Sequence, residues 1–452
     1  MTKVFVIGLD CAPPEIVFDP AMPLPNLRAL MDRGISAPMA SCTPCITVPA
    51  WSVMTSGRDP GELGIYGFRN RADRGYFSAR IANGADIRVD RIWDTLGRAG
   101  RKCIVVGVPQ TYPVRPINGH LVSCFLTPNA NTPYTWPPAL KPEIQRLVGD
   151  YRMDVADFRT EDKAALLRQI YEVTEQHLKI VRHLMTTKPW DFFMYVEIAT
   201  DRIHHGFWRF HDPLHPKHDP ASPFVGAIRD YYIWLDARLG EIIALLPPDC
   251  AVMVVSDHGA KRMDGGIAIN HWLIQNGWLT LKEGGHSPPT GRVPLSSLDI
   301  DWSRTRAWGD GGYYGRIFLN VAGREPQGVV ATEAFESTRA DLAAQIAAIP
   351  DHLGRPLPTR CFTPEGLYRE VNGIPPDLLV YFGDLLWRSI GTVDAERLST
   401  IHTFDNDTGP DDCNHAQNGI FVLREPGVRV IASPPANLID IRDVLMRLAG
   451  AG

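Results

Sequence analysis

Three aspartates each stand just beyond an apolar run, and one is followed by a histidine. Asp10 closes the run Val4 to Leu9, Asp201 lies three residues past Phe192 to Ile198, and Asp257-His258 follows Ala251 to Val255 after Ser256. Short apolar runs bounded by turn residues read as buried parallel strands. An open parallel sheet binds its ligands beyond the carboxyl ends of those strands. Any one of these aspartates is as well explained as a turn former. Three at one sheet edge, with an imidazole, have the chemistry of a divalent-metal site. Asp201 and His205 are four residues apart, so on a helix they face the same way and could grip one ion, while His204 points elsewhere. The competing reading of this segment is a solvated helix start flanked by Phe207 and Trp208.

Thr47 is the other reactive position. Pro49 suits a first helical turn, where its missing N–H costs nothing, and that places Thr47 at a helix N-terminus. Backbone N–H groups and the positive end of the helix dipole favour a phosphate and an alkoxide there. Thr47 is then either an N-cap or a nucleophile. Because free threonine is a very weak acid, the nucleophile needs a bound cation.

The elements that must position these groups alternate. Cys103 to Val108 joins the three runs above as a fourth strand. Helical patterns cover Pro25 to Arg33, Asp162 to Met185 and Ala227 to Leu246, the last stopped by Pro247-Pro248. The alternation predicts an α/β fold with a mostly parallel central sheet and helices on both faces. Glycine and proline become frequent after about residue 261. Residues 262–400 are expected to form an inserted cap region, with β structure over Trp302 to Val321 and a helix over Glu333 to Ile349. The catalytic core is then expected to comprise 1–261 and 401–452, with a strand at Gly419 to Leu423 and a last helix at Ile439 to Leu448. Pro128 to Pro142 reads as an ordered connector.

The 452 residues carry 46 basic and 51 acidic side chains, a net charge of −5, and 44% are hydrophobic. That composition excludes a disordered or fibrous chain and a basic nucleic-acid binder. Eight cysteines make no disulfide framework, and the lone Cys42-Thr43-Pro44-Cys45 spacing is weak evidence for zinc or redox chemistry. The N-terminal apolar run is too short for a signal peptide. No stretch reaches the roughly 18 apolar residues of a membrane span. The expectation is a cytoplasmic protein with no membrane and no nucleic-acid partner; nothing points to an oligomeric state.

At this point the chain resembles the alkaline phosphatase superfamily, and within it the type I phosphodiesterase/nucleotide pyrophosphatase group, nearest the branch described as phosphohydrolase/phosphomutase-like. The resemblance runs through Ile7-Gly8-Leu9-Asp10, Pro25-Asn26-Leu27 to Gly34, Thr47 to Gly57 with Pro60 and Gly64-Ile65, Asp201 to His205, Ser256 to Gly259, and Asn414 to Phe421. It implies one metal held by Asp10, Asp257, His258 and the Thr47 oxygen, and another held by Asp201, His205 and His415. Three histidines and three aspartates suit two Zn²⁺ ions, with Mn²⁺ the alternative. The implied activity is hydrolysis of a small phosphorylated substrate, a phosphodiester or a monoester, through a phospho-Thr47 enzyme. A phosphoryl transferase or mutase on the same site, or a non-catalytic metal-dependent binder of a phosphorylated ligand, are the alternatives. A sulfatase is rejected. Cys42 and Cys45 are five and two residues out of register with Thr47, and Ile46 stands where the arginine of the sulfatase CxPxR signature would be.

One departure bears on substrate. Nucleotide pyrophosphatases of the group place an asparagine after the Gly-Ile pair, where it contacts the phosphoryl oxygen. Here Phe68 takes that position and Asn70 lies two residues on. Phe68, Asn70 and Lys261 are the candidate substrate contacts, with Arg202 and Arg262 as further cations beside ligands. His271, His286 and His402 read as ordinary surface or buried histidines. Trp208, Phe210, Trp272 and Trp278 are either packing or the wall of a leaving-group pocket.

Overall fold

The computed structural model describes residues 2–283, 291–427 and 433–450; His286 lies outside them. The chain divides into two compact units. The first comprises Met1–Phe68, Ala82–Ala260 and His415–Gly452; the second comprises Arg69–Ile81 and Lys261–Asn414.

The first unit is an α/β domain. Its strands are β1 (Val4–Leu9), β2 (Ile35–Ala40), β3 (Cys103–Val106), β4 (Gly119–Val122), β5 (Thr135–Trp136), β6 (Phe192–Glu197), β7 (Ala251–Val255) and β8 (Asn418–Arg424). They form one sheet in the order β2-β8-β7-β1-β6-β3-β4-β5. Strands β7, β1, β6, β3 and β4 run parallel, in register Val4 with Phe192 and with Ala251. β8 lies antiparallel between β7 and β2, and β5 is an antiparallel edge. Strands β1, β6 and β7 are buried along their whole length, as expected of near-continuous apolar runs covered on both faces.

The helices that flank the sheet include α1 (Pro25–Asp32), α2 (Thr47–Ser56), α3 (Ile92–Arg98), α4 (Lys163–Thr187), α5 (Ala199–His211), α6 (Ala227–Ala244) and α7 (Ile441–Leu448). Side chains alternate across a strand. One face, through Val4, Val6, Met194 and Met253, packs with Trp51, Met54, Leu96 and Leu445 of α2, α3 and α7. Helices α1, α4, α5 and α6 pack on one another and on the other face. The four expected strands and three expected helices are present within a few residues. Of the Pro128–Pro142 connector, Thr135–Trp136 adds an edge strand. Among the described residues, no helix is long and apolar enough to cross a membrane.

The second unit has its own core. A four-stranded antiparallel sheet is built from Ala307–Asp310, Gly315–Leu319, Leu378–Tyr381 and Arg360–Phe362. Helix Phe335–Ala347 contributes Leu342 and Ile346 to a cluster with Trp272, Trp278, Trp308 and Ile317. The hairpin Arg69–Arg71 with Ala79–Ile81 belongs to this unit, and Tyr76 packs against its core.

Candidate metal centre

Each candidate ligand position of the first unit is delivered by a strand end or by the first two turns of a helix. β1 ends in Asp10, whose N–H donates to Glu197 O at 3.1 Å. β7 leads into Ser256, Asp257 and His258, and the Ser256 hydroxyl accepts from Ala12 N at 2.9 Å. β6 ends in Glu197, whose carboxylate accepts from Ala199 N at 3.0 Å and so anchors the start of α5, which carries Asp201 and His205. His415 precedes β8.

The close approach of α2 to β1 depends on Gly8. A Cβ there would lie 2.5 Å from the Trp51 ring and 2.7 Å from a Val196 methyl. With no Cβ in the way, Trp51 lies over the strand and its Nε1 donates to Asp10 Oδ2 at 2.7 Å. Thr47 is the first residue of α2; Ile46 occupies the cap position and no side chain caps the helix. The Thr47 hydroxyl is therefore not spent on a backbone N–H. It lies 3.4 Å from Asp10 Oδ1 and 3.3 Å from His258 Nε2.

Two groups of donor atoms result within the first unit. Asp10, Asp257 and His258 form one. His258 Nε2 is 3.2 Å from Asp257 Oδ2 and 3.8 Å from Asp10 Oδ1. Asp201, His205 and His415 form the other. His205 Nε2 is 3.1 Å from Asp201 Oδ1 and 3.3 Å from His415 Nε2, and His415 Nε2 is 3.8 Å from Asp201 Oδ1. The His258 and His415 rings stack with centroids 3.9 Å apart, so the two groups are neighbours. All seven positions, Thr47 included, are buried.

The hydrogen bonds fix which ring nitrogens face inward. His258 Nδ1 donates to Gly259 O at 3.1 Å and His415 Nδ1 donates to Cys45 O at 3.0 Å, since a carbonyl can only accept. Each neutral ring therefore turns an Nε2 lone pair inward. Burial pushes His258 down to about 4 and His415 well below the ordinary imidazole range, so both are neutral near pH 7. Asp201 Oδ1 and Asp257 Oδ2 are buried carboxylate oxygens with no hydrogen-bond donor aligned to them. Imidazole nitrogens and carboxylate oxygens that converge in this way, 3.1–3.8 Å apart, are placed as the ligands of a cation are. The donor set, imidazole nitrogen and carboxylate oxygen, fits a divalent ion of the zinc or manganese class.

Electrostatics divides the two groups. Burial, reinforced by the charge on Asp201, holds Asp10 well above the usual carboxylate range; burial and then Asp10 do the same to Asp257. Burial opposes ionisation of Asp201 too, yet the charges of His205 and Arg202 hold it well below that range. Arg202 Nη1 donates to Asp201 Oδ2 at 2.5 Å, while its Nε and Nη2 grip Asp154.

The candidate substrate contacts are placed differently. Phe68 belongs to the first unit and packs with Val48, Ile65, Ala82 and Ile87. Asn70 belongs to the second unit, buried in the hairpin opposite Arg80. Lys261, also in the second unit, donates to Asp384 O at 2.7 Å and to Asp384 Oδ2 at 3.2 Å, and Arg262 pairs with Asp264. Arg202, read from sequence as a phosphate cation, has its three donor nitrogens on Asp154 and Asp201. His271 is a satisfied buried histidine between Thr400 O and Asp394 N, and His402 bonds to Pro350 O. Trp272 and Trp278 are core residues of the second unit; Trp208 and Phe210 pack on His204 and on Phe207.

A profile of the type I phosphodiesterase/nucleotide pyrophosphatase family matches residues 4–405. Among solved structures, phosphonoacetate hydrolase from Sinorhizobium meliloti 1021, in complex with phosphonoformate, is 14% identical with a TM-score of 0.63, covering 99% of this chain and 96% of that one. Human ectonucleotide pyrophosphatase/phosphodiesterase 5 is 14% identical with a TM-score of 0.55, covering 99% and 95%. Its murine counterpart, solved as an inactive threonine-to-alanine variant with AMP, is 15% identical with a TM-score of 0.56, covering 100% and 95%. These likenesses are of fold. No curated protein sequence matches the chain.

Proposed function

The chain belongs to the type I phosphodiesterase/nucleotide pyrophosphatase family of the alkaline phosphatase superfamily and is a metal-dependent phosphoester hydrolase; from that premise we propose that Thr47 is its nucleophile, acting between two divalent ions. One ion is held by Asp10, Asp257, His258 and Thr47, the other by Asp201, His205 and His415. Zn²⁺ is the proposed metal and Mn²⁺ the alternative. A small phosphorylated molecule is the substrate, and the 262–400 segment is proposed to select it.

The observation that carries this reading is the Thr47 hydroxyl. It is buried at the first residue of α2, caps nothing, and lies 3.3–3.4 Å from donor atoms of Asp10 and His258. Bound ions would supply Lewis acidity, lowering the acidity barrier of a hydroxyl and neutralising non-bridging phosphoryl oxygens. Thr47 Oγ1 attacks phosphorus in line, its proton passing to solvent, and the bond from phosphorus to the leaving oxygen breaks, that oxygen taking up a proton from solvent. The free N–H groups of the first turn of α2 and its dipole face the phosphoryl group. Water then attacks phospho-Thr47, releasing phosphate or a phosphomonoester and restoring the hydroxyl. Trp51 and Thr200, whose hydroxyl donates to Asp10 O at 2.7 Å, keep Asp10 in place throughout. The murine relative that is inactive with alanine for a threonine is consistent with this role.

The test is Thr47→Ala in the zinc-loaded protein, assayed on paired aryl monoester and diester substrates with and without chelator. Turnover should fall about 10³-fold or more while metal content is kept. Wild-type turnover in the alanine variant would overturn Thr47 as nucleophile.

A further inference from the structure

We propose that Cys11 supplies a thiolate ligand to the ion held by Asp201, His205 and His415, making that half of the centre a sulfur-containing site. This rests on the two-metal reading above. The Cys11 Sγ and the ligand atoms of Asp201, His205 and His415 all lie within 4.8 Å of one another, and all four residues are buried. Cys11 follows Asp10 directly, with φ at 62°, in the left-handed region that side chains other than glycine seldom adopt. Its N–H donates to Asp257 Oδ1 at 3.2 Å, which fixes the turn.

Two independent observations point to a ligand among these atoms. Asp201 Oδ1 is buried with no aligned donor, 3.1 Å from His205 Nε2. Charge is the second. The half containing Asp10 and Asp257 offers two carboxylates to one dication. Of the three ligands assigned to the other ion Asp201 alone is anionic, and Arg202 already leans on that carboxylate at 2.5 Å. A thiolate brings this half to two anionic ligands as well. On binding, the Cys11 S–H bond breaks, its proton leaves to solvent, a sulfur–metal bond forms, and the 3.4 Å contact from Sγ to Gly259 O is given up. Sulfur selects zinc, cobalt or cadmium over manganese and magnesium.

The experiment loads the full-length protein with Co²⁺ and reads the near-ultraviolet thiolate-to-cobalt charge-transfer band, in wild type and in Cys11→Ser, with cobalt content measured in both. The band should be present in wild type and lost in the variant. A band that persists in Cys11→Ser, or cobalt bound in wild type without a band, overturns the proposal and leaves the two-metal reading standing. X-ray absorption of the zinc-loaded wild-type protein needs no variant: a sulfur shell near about 2.3 Å supports the proposal, and a shell of nitrogen and oxygen alone overturns it. Failure of wild type to retain either metal overturns both readings.

Discussion

Asp201 sits against a buried arginine, whereas among the described residues neither Asp10 nor Asp257 makes an ion pair with a lysine or arginine. The two halves of one metal centre thus meet the cost of buried negative charge in opposite ways. Against burial, the charges of His205 and then Arg202, itself held by Asp154, keep the Asp201 carboxyl well below the usual carboxylate range. At Asp10 and Asp257 burial and the neighbouring carboxylates outweigh the more distant Arg202, and the protonated forms are favoured. Binding there displaces carboxyl protons and depends on the ion for its charge balance; beside Asp201 the carboxylate has no proton to give up.

The comparison breaks most visibly in Asp257→Asn. That substitution removes one of the two charges that only a cation balances, so activity on an aryl phosphodiester should fall about 10⁴-fold and metal content should drop by one equivalent. Arg202→Met probes the other half. It leaves Asp201 as an unpaired buried charge and should cost about 3–5 kcal/mol in urea unfolding of metal-free protein, with part of the loss recovered on adding Zn²⁺. An equal loss with and without Zn²⁺ would mean that Arg202 and the ion do not share Asp201. Gly8→Ala sharpens the Asp10 side. The new Cβ drives Trp51 off the strand and breaks its 2.7 Å bond to Asp10, for about 1–3 kcal/mol and a change in tryptophan fluorescence.

The smallest effect concerns the tether of α5. His177 Nδ1 lies 3.2 Å from Glu197 Oε1, and although burial lowers the imidazole, the Glu197 charge and hydrogen bond raise it overall. A group raised in the folded state stabilises fully below its unfolded value of about 6.5, and that contribution is lost as pH rises through the folded value. Wild-type stability should therefore decline above neutrality relative to His177→Gln, which should be flatter across the same window in thermal unfolding.

What the sequence makes legible here is local. Apolar runs announce β1, β6 and β7, and the aspartates just past them announce the sheet edge, because strand length and turn chemistry are short-range properties. The four-residue spacing of Asp201 and His205 needs only helix geometry. Long-range packing decided the rest. That Lys261 is engaged by Asp384, 123 residues away, leaves no trace in its neighbours. The hairpin Arg69–Ile81 has no apolar run to link it with a unit that resumes at Lys261. Cys11 has no ligand spacing in the sequence, because its relation to His205 and His415 exists only once three distant segments meet. Its one local signal is adjacency to Asp10, in a turn where a small residue would be the easier choice.

Strand β8 occupies an interior place in the sheet although it comes last in the chain, and β2 pairs with β8 alone. During synthesis β7 must wait, one side unpaired, until some 160 further residues have emerged, and β2 has nothing to dock on. His415 arrives with that same segment. A chain that stops short of this segment therefore lacks one of the candidate donors as well as the strand that joins β2 to the sheet.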